Sequence, residues 1–315
     1  MARIGNSDLD VFPLDLGGNV FGWTADKDQS FAVLDAFAKA GGDLIDTADS
    51  YSAWIPGNSG GESELIIGEW MNRRGNRDSL VISTKVSQHP DFQGLAADTV
   101  ASAADASLTR LGTDHIDLYF AHYDDENTPL EETVGAFDAL VKAGKVRYVG
   151  VSNYSADRVQ QWMQIADDNG FVRPVALQPQ YSLVHRQPFD RELAPVVETY
   201  GLGVLPYYSL ASGFLTGKYR SRADLEGQTR GSSVEQYLTD EGLAVISALD
   251  EIAQAHDAEI ASVALAWLRS RPGVVAPIAS ARTVEQLPSL IASAKLELAP
   301  EETARLDEVS AAVPE

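Results

Sequence analysis

The 315-residue chain contains no cysteine. That absence removes disulfides, thiol nucleophiles and cysteine-based metal sites together, and it fits a reducing compartment. Basic residues are scarce: 24 Lys and Arg stand against 46 Asp and Glu, leaving a formal charge of −22. A surface this acidic repels nucleic acid and anionic lipid at long range, so neither is expected as a partner. No run of 18 apolar residues is available to span a bilayer. The opening "MARIGNSDLDVF" lacks the basic-then-apolar pattern of a signal peptide, and a cytoplasmic location is expected. No H-E-x-x-H is present, and His115 and His122 flank a strand rather than a helix face, so no metal is expected. No G-x-G-x-x-G opens a strand–helix unit either; "GGNVFG" (17–22) lacks the spacing.

What is present is a rhythm. Hydrophobic residues make up 44% of the chain, enough for a large core. Eight short β-like runs alternate with helical stretches: "PLDLG", "DLID", "LVISTK", "HIDLYFAH", "VRYVGVSN", "PVALQPQ", "LGVLPYY" and "GVVAPIAS". Strict alternation predicts a parallel sheet with helices outside. Eight units over this length predict one (β/α)8 barrel spanning 1–315, which needs about 250 residues. The surplus falls in an N-terminal piece (1–12), a loop at 209–238, an extra helix near 242–256 and an acidic tail at 300–309. A loop as long as 209–238 is usually functional or disordered. Asp98 and Ser155 are the expected caps of the helices they open, and Gly112 the stop of the first.

In such a barrel the reactive side chains sit at the carboxyl ends of the strands. Those ends read Gly18-Asn19, Asp46, Lys85, His122, Ser152-Asn153, Gln178, Tyr207 and Ser280. Taken singly, each has a bland reading: Lys85 as a snorkelling strand end, Asp46 as a cap, His122 as a satisfied core histidine, Tyr51 as packing. Their recurrence at successive strand ends is harder to explain that way, because buried polar groups must find partners.

The chain resembles the aldo-keto reductase family through "IDTADSY", "ISTKV", "DLYFAH", "VRYVGVSNY", "LQPQYS", "GFLTGKY" and "PIASARTVEQL", in that order. The resemblance implies NADPH-dependent, reversible reduction of aldehydes or ketones, with a small-molecule carbonyl substrate. Asp46, Tyr51, Lys85 and His122 match the family's catalytic tetrad. An unperturbed tyrosine titrates near ~10. A neighbouring Lys85 is expected to ease its proton release, with Asp46 holding the ammonium and His122 orienting the carbonyl.

The same resemblance implies a nicotinamide cofactor, NADP(H) preferred and NAD(H) admissible, bound without a Rossmann domain. Gly18 and Asn19 border the nicotinamide; Ser152, Asn153 and Gln178 match positions that bond its amide; Tyr207 matches the stacking aromatic, with Tyr208 as the alternative. Ser212, Gly213, Leu215, Gly217 and Lys218 are expected along the pyrophosphate, with Arg230 in the same loop. Ser280, Arg282 and Gln286 are expected at the adenosine end, Arg282 on a 2′-phosphate. Many relatives carry an acid–Asn pair later in this segment, where this chain has Ser289-Leu290. Trp23, Trp54 and Tyr123 are candidate walls of a substrate pocket. Two other readings compete: a slow-turnover NADP(H)-binding redox-sensing subunit resembling channel β subunits, and an unrelated barrel enzyme such as a phosphate-sugar isomerase. Oligomeric state is not legible.

Overall fold

The computed structural model describes residues 1–228 and 231–314. Eight parallel strands form one curled sheet: Asp15–Gly17, Leu44–Asp46, Val81–Val86, Ile116–Ala121, Val146–Ser152, Ala176–Gln178, Gly203–Val204 and Ile278–Ala279. The last strand pairs with the first, Ile278 opposite Asp15. On its other side, Val275 N–H donates to Val204 O and Ile278 N–H to Pro206 O, which joins the last strand region to the seventh strand and completes the ring. Each expected run overlaps one of these strands, so the (β/α)8 reading holds.

Strand alternation divides the core into two layers. Leu16, Ile45, Ile82, Tyr119 and Val149 face the helices. Leu44, Leu118, Phe120, Ala176 and Leu205 face the barrel axis. The N-terminal piece is an antiparallel hairpin, Ala2–Arg3 with Asp10–Val11. It sends Ile4, Leu9 and Val11 into the axial layer and plugs the barrel at the strands' amino ends. A large cavity lies at the opposite, carboxyl ends of the strands.

Helix ends follow local chemistry. Asp26 and Gln29 form a reciprocal capping box at the start of Lys27–Lys39. Ser155 accepts from the Arg158 amide, as expected. Gly112 closes Ala97–Leu111 at a left-handed φ of 62°, where a Cβ would be strained. Asp98 is a correction: it lies inside the first turn, and Ala96 is the cap residue. The exposed Ala97 N–H is instead satisfied by Glu132 of the next helix at 2.9 Å, so a tertiary contact replaces the local one. The two surplus C-terminal elements, Asp240–Ala255 and Pro300–Ser310, pack on each other. Asp307 of the second accepts from Trp267 and Arg271, mooring that helix to the barrel.

Candidate active site

Three strand ends and the loop after the second converge at the mouth. Alternation turns Asp46, Ser83 and Lys85 inward, because Ile45, Ile82 and Val86 belong to the helix-facing layer. The Lys85 ammonium, 0% exposed, donates to Asp46 Oδ2 at 2.6 Å, to Thr47 O at 2.7 Å and to the Tyr51 hydroxyl at 3.1 Å. Tyr51 in turn donates to Asp46 Oδ2 at 3.2 Å. The other carboxylate oxygen accepts from Ser83 Oγ and from Gln178 Nε2, each at 2.9 Å. A buried ion pair is worth keeping only when its remaining hydrogen-bonding capacity is met, and here all three of the lysine's protons and both acid oxygens are used.

Burial and then the Asp46 charge hold the Tyr51 hydroxyl well above the ordinary tyrosine range. Lys85 donates to the same oxygen, so the easing of proton release expected from it is opposed by burial and by Asp46. The phenol donates to a carboxylate, and that bond favours its protonated form. Tyr51 is thus kept as a loaded proton donor. His122 lies beside it, ring centroids 6.3 Å apart. Burial and then the Lys85 charge hold its imidazole well below the ordinary histidine range, so it is neutral near pH 7. Its Nδ1 is buried without a partner.

A cavity of about 940 Å³ runs from this group across the mouth. It is lined by Asn19, Tyr51, Trp54, His122, Tyr123, Asn153, Gln178, Tyr207, Ser212, Gly213, Lys218, Ser280, Arg282 and Gln286. Fourteen residues read as site candidates from sequence therefore share one cleft. Asp46 and Lys85 lie just behind it. Gly18, Ser152, Leu215, Gly217 and Trp23 do not line it. Ser152 spends its hydroxyl on Gln178 O at 2.8 Å, and Trp23 packs edge-on against Trp54, centroids 5.5 Å apart. Arg230 lies outside the described residues.

The middle of the cleft is pre-set by side-chain bonds. Asn153, at a left-handed φ of 57°, donates to His122 O and accepts from the Tyr207 hydroxyl at 2.6 Å. Tyr207 is fixed by that bond, whereas its neighbour Tyr208 is 51% exposed. Ser280 donates to Asn19 at 2.7 Å, tying the eighth strand end to the first. Further along, the backbone carries positive φ at Tyr208, Ala211, Ser212 and Gly213. Such strain in non-glycine residues is stored mainly at ligand sites.

Sequence reasoning missed Ser83, which positions Asp46, and Gln88 and Thr24, which line the cleft. Ser83 was reachable from strand alternation, two residues before Lys85. Asp49, in the loop after the second strand, is completely buried, its amide donating to Lys85 O. Among the described residues no group of three or more His, Cys, Asp or Glu is placed to hold a metal ion, and no helix is long and apolar enough to cross a membrane.

A profile of the Aldo/keto reductase family matches residues 13–311. Protein tas of Escherichia coli is 33% identical, the match covering 98% of this chain and 96% of that protein. Norsolorinic acid reductase stcV of Emericella nidulans is 33% identical over 95% of this chain and 78% of its own length. A probable voltage-gated potassium channel subunit beta of Oryza sativa is also 33% identical, over 90% of this chain and 88% of that protein.

Proposed function

The chain belongs to the aldo/keto reductase family of oxidoreductases, and from that premise we propose that it reduces uncharged aromatic aldehydes and ketones to alcohols with NADPH, reversibly. The observation that carries the reading is the Tyr51 hydroxyl, suspended between the Lys85 ammonium and the Asp46 carboxylate at the wall of the cleft and beside neutral His122.

The elongated cleft suits a dinucleotide. Asn153 and Gln178 offer amide groups, Tyr207 a pinned ring, Gly213 a close backbone approach, and Lys218 with Arg282 positive charge against an acidic molecule. When bound, the nicotinamide supplies hydride chemistry. The chain's own residues do the rest. His122, being neutral, can donate a hydrogen bond to a carbonyl oxygen and hold it near Tyr51. Tyr51 then delivers the proton as negative charge develops on that oxygen. Lys85 stabilises the phenolate left behind, and Asp46 holds Lys85 in place. Arg282 is the group we assign to a 2′-phosphate, which favours NADPH over NADH.

The substrate class follows from the catalytic end of the cleft. Thr24, Ala53, Trp54, Gln88, Tyr123 and Tyr208 line it, and none carries charge. Trp54, Tyr123 and Tyr208 are each more than two-fifths exposed. Aromatic faces left open in a cleft favour flat partners. Among the described residues an anionic substrate meets no cation in that lining.

Fluorescence titration with NADPH and NADH, followed by NADPH oxidation with an aryl aldehyde, an aliphatic aldehyde of equal size and a sugar phosphate, tests the reading. Turnover highest with the aryl aldehyde is the expected result; tight sugar-phosphate binding with no affinity for NADPH would overturn it. The likeness to a channel β subunit supports a second reading, a regulatory NADP(H)-binding subunit. Single-turnover oxidation far slower than cofactor release, with every carbonyl tried, would favour it.

A further inference from the structure

Asp15 lies on the first barrel strand, pointing at the axis. Its neighbour Leu16 faces the helices, and a side chain at Gly17 would meet Ser280 and Ile278, so residues 15 and 17 are turned inward. Asp15 is 0% exposed. Its carboxyl lies near the backbone amide of Asp46, yet neither oxygen makes a hydrogen bond of ordinary geometry. The contrast with Asp46 on the adjacent strand is complete: Asp46 takes bonds from Lys85, Tyr51, Ser83 and Gln178.

Two carboxylates facing one ammonium in a dry interior do not both stay ionised. The one with no donor, Asp15, is the one that keeps the proton. The charged groups acting on Asp15 are Asp46 and Asp43 from the second strand region and Lys85 from the third; the Ile278–Ala279 strand on its other side brings none.

We propose that Asp15 is a proton-bearing acid set beneath the Lys85–Asp46 pair, and that its charge state sets the pH at which Tyr51 gives up or takes back a proton. It is a positioning residue, touching no reactant. Burial and then the Asp46 charge push its carboxyl well above the usual carboxylate range, and Asp15 in turn is one of the groups that raise Tyr51. As pH rises Asp15 ionises before Tyr51, since a carboxylic acid is intrinsically about six units the stronger acid. Tyr51 then has to ionise above a second negative charge. The consequence for catalysis, a higher pH threshold for alcohol oxidation than for the uncharged variant, rests on the function proposed above.

Asp15→Asn keeps the shape and removes the charge, with Asp15→Ser as a smaller neutral alternative if the amide does not fit. Two readouts need no activity. Thermal melts across pH come first. A group whose folded pKa exceeds its unfolded value contributes fully below about pH 4 and loses that contribution as pH rises toward the folded pKa. The variant is therefore at least as stable as the parent at pH 7, by a margin that widens with pH. A variant less stable by a constant amount at every pH would mean that Asp15 is structural. The second readout is the phenolate absorbance of Tyr51, taken as the difference from Tyr51→Phe in each background. Its midpoint is expected roughly one pH unit or more lower without Asp15; an unmoved midpoint overturns the proposal. If those shifts appear but no carbonyl is reduced, the proposed function fails and this inference stands.

Discussion

The two ends of the cleft are built by different means. At the catalytic end Asp46 and Lys85 arrive on paired strands, and Tyr51, on the short loop after the second strand, is held to both by side-chain bonds. At the other end, residues 211–218 arrive on backbone that belongs to no strand ladder and takes left-handed conformations at Ala211 and Ser212. A proton transfer tolerates little error in distance, and that precision comes from the sheet. A long anionic ligand needs backbone N–H groups and cations brought close along its length, which a bent loop provides better than a strand.

If the contrast is sound, changes at the two ends break different steps. Tyr51→Phe is expected to lower kcat by about 10²–10⁴-fold while NADPH affinity stays within about twofold; steady-state kinetics and fluorescence titration read the two separately. Full activity in that variant would remove the catalytic end from the account.

Lys85→Met leaves Asp46 buried with three weaker donors and no cation. Breaking one partner of a buried pair costs about 3–5 kcal/mol. Urea denaturation should report that loss along with inactivity, whereas the same change at exposed Lys218 should cost little stability.

Arg282→Ala sharpens the comparison from the other side. The KM for NADPH should rise roughly tenfold, about the loss of one charge-assisted bond, with kcat and the KM for NADH unchanged. A fall in kcat would mean the two ends are coupled.

The smallest effect concerns His122. Its folded-state pKa lies below the unfolded value, so the unfolded chain binds a proton near pH ~6.5 that the folded chain refuses. The stabilising contribution is complete above that pH and lost as pH falls through it. Thermal melts at pH 7.5 and 5.5 should show a larger drop for the parent than for His122→Asn, whose side chain does not titrate.

Much of this was legible before any coordinates. Apolar runs ending on Asp46, Lys85, His122 and Gln178 pointed to a ring of strand termini, because strand alternation and burial act locally. What escaped were features decided by tertiary partners. Asp98 looks like a cap until Glu132 of the neighbouring helix is seen to satisfy the same helix end. Asp49 lies in the loop after the second strand yet is fully buried, which no local pattern in the sequence signals. The 209–238 loop has no periodicity to read; its described residues form short helical pieces, Ala211–Thr216, Arg222–Leu225, Gly231–Val234 and Glu235–Tyr237, rather than strands. Asp15 sat in plain view, within a run read only as a strand.

The hairpin that plugs the barrel has a consequence for how the chain assembles. Ile4, Leu9 and Val11 share one apolar cluster with Leu205, Val275 and Ala276, which lie far later in the sequence. The first strand likewise waits for the last, and the Ser280–Asn19 bond joins residues 261 apart. Contacts of such separation are slow to form because loop closure comes before any reward. Several βα units therefore stay open at their edges until the later strands dock, and like charge on an acidic chain disfavours association of such edges with one another.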